Sequence, residues 1–136
     1  MQALIKRQSI ALIKEYMEIF PAVAILGPRQ SGKSTLAGMI GKSIPDFIYL
    51  DLENPADLRR INDVQLFFDH NPDSVVCLDE VQLIPDLFPK LRSIIDRSRK
   101  KGKIILLGSA SRELVNKSSE SLAGRVGYIE LTPFSL

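Results

Sequence analysis

The chain has 136 residues, 45% hydrophobic and 25% charged, which fits one globular domain with a real core and excludes a low-complexity chain. Its formal net charge of +2, from 18 basic and 16 acidic residues, supplies no general field for nucleic acid or membranes. The single cysteine, Cys77, excludes an internal disulfide, fits a reducing cytoplasm and reads as core within Val75-Val76-Cys77-Leu78. No apolar run approaches the ~20 residues of a membrane span, and the N-terminus has no signal-peptide core. A cytoplasmic chain without a membrane partner is therefore expected.

In chain order, residues 3–20 read as a helix packing on the core. Ile10, Ile13, Met17 and Phe20 share one face, and Pro21 ends the helix. The core domain then spans 21–136. Ala22 to Leu26 is an apolar run of the kind that forms a buried strand. Gly27-Pro28-Arg29-Gln30-Ser31-Gly32-Lys33-Ser34-Thr35 follows and matches G-x-x-x-x-G-K-[ST], the phosphate-binding loop. Its backbone N–H groups would wrap a nucleotide's phosphates, with glycines where a Cβ would obstruct the approach. Lys33 would reach the β- and γ-phosphates, and the Ser34 hydroxyl would ligate Mg²⁺. Leu36, Met39 and Ile40 mark the apolar face of the next helix, whose positive end points at the same phosphates.

Phe47 to Leu50 reads as a second strand ending at Asp51. Asn54-Pro55 opens a helix carrying Leu58, Ile61, Val64 and Phe68 inward, and Asn71-Pro72-Asp73 turns the chain. Ser74 to Leu78 is the next strand and runs into Asp79-Glu80. Asp86 is positioned to cap a helix buried through Leu87, Leu91, Ile94 and Ile95. Lys103 to Leu107 is a strand ending at Gly108-Ser109. A short helix at Ser111–Asn116, a flexible polar loop over 117–121 and a strand at Tyr128–Leu131 complete the series. Apolar strands alternating with helices predict an α/β fold: a parallel sheet in a three-layer α/β/α sandwich, with ligands at the carboxyl ends of the strands.

Four apolar residues before Asp79-Glu80 make a Walker B pattern, in which Asp79 holds Mg²⁺ and Glu80 is the general base for water. A base aimed at water favours hydrolysis over transfer to a metabolite. Ser109 and Ser111 are candidates to sense the γ-phosphate, Ser109 the stronger. Arg125 is a candidate arginine finger, acting on its own site or a neighbour's. Asn116-Lys117 begins like the guanine-reading N-K-x-D but lacks the aspartate, so ATP is favoured over GTP. The cluster Arg92, Arg97, Arg99, Lys100, Lys101 and Lys103 lies mostly at a helix C-terminus, where cations complement the dipole. Nucleic acid is an open partner that these residues do not by themselves support. His70 reads as a surface residue.

GPRQSGKST at 27–35, LDEVQ at 78–82, LGSA at 107–110 and SLAGR at 121–125 together resemble the prokaryotic AAA-14 ATPases. The resemblance covers about residues 20–134. It implies a five-stranded P-loop core of order 5-1-4-3-2, Mg-ATP at Gly32, Lys33 and Ser34, and Asp79/Glu80 as Walker B. It also favours phosphate-sensing roles for Ser109 and Arg125. Members of that family usually continue into a lid and a DUF4143 region, so the chain reads as a nucleotide-binding core cut before them, with a C-terminal domain or partner protein missing. The expected function is Mg-dependent binding and in-line hydrolysis of ATP. The alternatives are an ATP/ADP-binding switch with little turnover and a small-molecule kinase. A homo-oligomer is an open expectation, because a finger acting on a neighbour requires one.

Overall fold

In the computed structural model the described residues are 2–28 and 32–131, with side chains described from Gln8 onward. The expected loop residues Arg29, Gln30 and Ser31, and the tail from Thr132, lie outside them. The helices are α1 (Gln2–Ile19), α2 (Lys33–Gly41), α3 (Pro55–Arg60), α4 (Val64–His70), α5 (Leu87–Ser98) and α6 (Arg112–Leu122). The strands are β1 (Ala22–Leu26), β2 (Phe47–Asp51), β3 (Val75–Asp79), β4 (Ile104–Gly108) and β5 (Val126–Glu130), and one 3-10 turn spans Val81–Leu83.

All five strands pair in parallel in the order β2-β3-β4-β1-β5, which is the expected 5-1-4-3-2 seen from the other edge. Leu26 lies opposite Gly108 and Glu130, and Asp79 lies opposite Asp51 and Leu107. That register brings the carboxyl ends of the strands to one edge of the sheet.

Side chains alternate across each strand, so the two faces build separate cores. Ala22, Ala24, Leu50, Val76, Leu78, Ile104 and Leu106 pack beneath Phe67 and Phe68 of α4, Leu91 and Ile95 of α5 and Leu114 of α6. On the other face Val23, Ile25, Cys77, Ile105 and Leu107 meet Ile13 of α1 and Leu36, Ala37 and Ile40 of α2. Both faces of β1 and β4 are buried, which is why their sequences are continuously apolar. Each large side chain so buried contributes roughly 2 kcal/mol before entropy is counted. Among the described residues no helix is long and apolar enough to cross a membrane.

Four local expectations are corrected. The helix expected from Asn54 through Phe68 is two helices. Asn54 caps α3, accepting from the Ala56 N–H at 2.9 Å, while Asp63 caps α4, accepting from Leu66 at 3.1 Å. A second capping side chain restarts the helix and lets both apolar faces turn toward the sheet. Asp86 precedes α5 but makes no capping hydrogen bond. In α2, Ala37 rather than Met39 completes the buried face, and Met39 is exposed. The polar run 117–121 is helical and not a loop. Ser118 and Ser119 turn their hydroxyls to the Tyr128 hydroxyl at 2.6 and 3.0 Å, so α6 gains polar anchors on β5.

Candidate nucleotide-binding site

Gly27 leaves β1 buried, and its N–H donates to the Gly108 carbonyl at 3.1 Å. This bond ties the start of the phosphate loop to the end of β4. Pro28 is exposed. Gly32 stands at the N-cap of α2 with φ 84°, a left-handed conformation that costs an L-residue with a Cβ about 1–2 kcal/mol. Lys33, only 3% exposed, is the first residue of α2, whose free N–H groups and dipole give that end positive character. Ser34 and Thr35 are exposed beside it.

The Ser34 hydroxyl donates to Asp79 Oδ2 at 3.0 Å, joining the loop to the end of β3 across the fold. The same oxygen accepts from the Tyr49 hydroxyl on β2. Asp79 Oδ1 accepts from the Glu80 N–H at 2.8 Å. Tyr49 is an exposed residue, but partial desolvation of its phenol, then the hydrogen bond to the Asp79 carboxylate, raises its pKa above the usual tyrosine range. Burial, then the Asp79 charge, likewise raises the Cys77 thiol, which is inert core.

Glu80 is a left-handed non-glycine residue, with φ 61° and ψ 42°, so the chain turns sharply off β3 into the 3-10 turn. Its carboxylate Oε2 accepts from Gln82 Nε2 at 2.6 Å, and Gln82 Oε1 accepts from the Ser109 N–H at 3.3 Å. Ser109 thus joins the edge that carries Gly27, Asp79 and Glu80.

Ser111 does a different job. Its hydroxyl caps α6, accepting from the Leu114 N–H at 3.1 Å. Arg125 is not brought to the site at all. It sits at the amino end of β5, where its carbonyl accepts from the Ala22 N–H, a strand's length (about 17 Å) from the phosphate-loop edge. Its guanidinium grips Asp96 of α5 through Nε at 2.7 Å and Nη2 at 3.2 Å. The reading of Arg125 as a finger on its own chain's site is corrected accordingly. The basic cluster is not one open patch either. Lys103 is buried, donating to the Pro72 carbonyl at 2.7 Å with its ammonium 5.8 Å from the Phe68 ring centre, and burial lowers its pKa.

No sequence pattern singles out Tyr49 or Gln82 as a candidate site residue. Period-two alternation along β2 puts Tyr49 on the sheet face of Cys77 and Asp79, but nothing in the sequence announces that its hydroxyl reaches a carboxylate. Gln82 closes the LDEVQ motif, yet its contact with Ser109 joins residues 27 positions apart.

A Mg²⁺ ion suits this donor set. Hydroxyl and carboxylate oxygens are hard ligands, and Mg²⁺ takes only one or two from protein, the others from water and phosphate. Ser34 and Asp79, joined by their hydrogen bond, offer two such oxygens. No cluster of three or more His, Cys, Asp or Glu residues suited to a metal occurs among the described residues.

Comparison with known proteins agrees with this fold. An uncharacterised protein of Mycobacterium tuberculosis (strain ATCC 25618 / H37Rv) is 42% identical over 127 residues, which are 93% of this chain and 28% of that protein. One of Mycobacterium bovis (strain ATCC BAA-935 / AF2122/97) matches to the same extent. The chain therefore spans 28% of the length of these relatives. The crystal structure of a DNA replication initiation factor shares the fold with TM-score 0.58 at 19% identity, over 92% of this chain and 45% of that one. The sequence model of the AAA-14 family, described as AAA domain, matches residues 20–136. With that match and the strand order of the sheet, the chain belongs to the AAA-14 family of AAA domains.

Proposed function

We propose that this domain binds Mg-ATP at the Gly27–Thr35 loop and hydrolyses it by in-line attack of water. The observation that carries the reading is the Ser34–Asp79 hydrogen bond of 3.0 Å beside the buried Lys33, with Glu80 directly following. Phosphate-loop N–H groups and the α2 N-terminus cradle the phosphates, and the Lys33 ammonium takes up charge on the γ-phosphate oxygens. Mg²⁺, when bound, neutralises charge on the β- and γ-phosphate oxygens. Glu80 accepts a proton from water as the water oxygen bonds to the γ-phosphorus. The bond from the γ-phosphorus to the bridging oxygen breaks, that oxygen stays on the departing β-phosphate, and ADP and inorganic phosphate result. Ser109, at the end of β4, supports the γ-phosphate or the water. Adenine is favoured because Ser119 stands where a guanine-reading motif has aspartate.

In longer relatives such a domain is one part of the protein, and we propose that nucleotide binding here drives the remainder. The test is steady-state phosphate release by wild type and Glu80→Gln. Glu80→Gln should lower kcat at least 100-fold while Mg-ATP still binds. Equal turnover by the two proteins would contradict a water-activating Glu80.

A further inference from the structure

We infer that Gln82 is a positioning residue that fixes the general base by tying it to the end of β4. This rests on the reading of Glu80 as the base. Gln82 is half-buried and uses both ends of its carboxamide: Nε2 donates to Glu80 Oε2 at 2.6 Å, and Oε1 accepts from the Ser109 N–H at 3.3 Å. An amide is suited to this, because it donates at one end and accepts at the other. The space is shaped for it. A Cβ on Gly108 would lie 2.9 Å from Gln82 Oε1 and 2.8 Å from Leu114 Cδ2, so glycine leaves the amide its seat. Glu80 stands at the left-handed turn off β3, and among the described residues the Gln82 amide is what its carboxylate hydrogen-bonds. Gln82 thus couples the position of the base to the strand end that faces the γ-phosphate, while touching no reacting atom itself.

Two variants separate this role from plain support of the turn. Gln82→Met keeps the length and loses both hydrogen bonds. Gln82→Glu keeps the acceptor for Ser109 but sets a carboxylate against Glu80. If Gln82 acts through Glu80, both should lower kcat at least tenfold, with KM and Mg-ATP affinity within twofold of wild type. In a Glu80→Gln background, Gln82→Met should then cause no further loss, since the two act as one unit. Thermal melts check that each variant is folded. Turnover of Gln82→Glu within twofold of wild type, or an equal rise in KM and fall in affinity, would overturn the positioning role while leaving the base intact. Wild type no faster than Glu80→Gln would instead overturn the hydrolysis reading, and the inference with it.

Discussion

Asp79 answers to three donors: the hydroxyls of Ser34 and Tyr49 at Oδ2 and the Glu80 N–H at Oδ1. A carboxylate 5% exposed needs such partners, because an ion removed from water loses several kcal/mol of solvation. The arrangement fixes the rotamer of Asp79 before any ligand enters. Tyr49→Phe removes one donor at a half-open position and should cost about 1 kcal/mol of stability, read by urea unfolding. It should also raise the Mg²⁺ concentration needed for half-maximal ATP binding. Unchanged values for both would show that Ser34 and the backbone suffice.

At the scale of elements, neighbouring serines divide the labour. Ser111→Ala loses the cap of α6 and should destabilise the fold by about 1 kcal/mol, with kcat within twofold of wild type. Ser109→Ala should do the reverse, lowering kcat with little effect on unfolding, because the observed Ser109–Gln82 bond uses its backbone N–H. The same contrast explains what was legible beforehand. β1, α2 and the phosphate loop follow from local signals: an apolar run, a glycine pattern and a helical stripe. So does the strand that delivers Asp79 and Glu80. The break between α3 and α4 was hidden because Ile61 and Val64 keep a helical spacing across it, while Asp63 offers an equally good cap. Ser118 and Ser119 read as loop because their partner, the Tyr128 hydroxyl, lies on another element. Tyr49 and Gln82 are silent in the sequence for the same reason. Their partners are set by strand order, which no local pattern encodes.

For the whole molecule, parallel strands gather Gly27, Asp79, Glu80 and Ser109 at one edge and leave Arg125 at the other. Arg125 and Asp96 hold β5 to α5, and the guanidinium lowers the Asp96 pKa while the carboxylate raises that of Arg125. The sign follows directly. A carboxyl depressed by folding stabilises the native state above its unfolded pKa, and the gain is lost as pH falls through the folded value. Arg125→Ala should therefore lower Tm slightly at pH 7 and converge with wild type in acid, with turnover of the monomer unchanged. Loss of turnover that depends on protein concentration would instead place Arg125 at a neighbouring copy's site. The central claim is that the Gly27–Thr35 loop binds Mg-ATP, and calorimetry of wild type against Lys33→Ala tests it most directly, with GTP as comparison. The account predicts binding of ATP in preference to GTP by the wild type, and loss of that binding in Lys33→Ala. Equal affinity of the two folded proteins for Mg-ATP, or none in either at millimolar nucleotide, would contradict it.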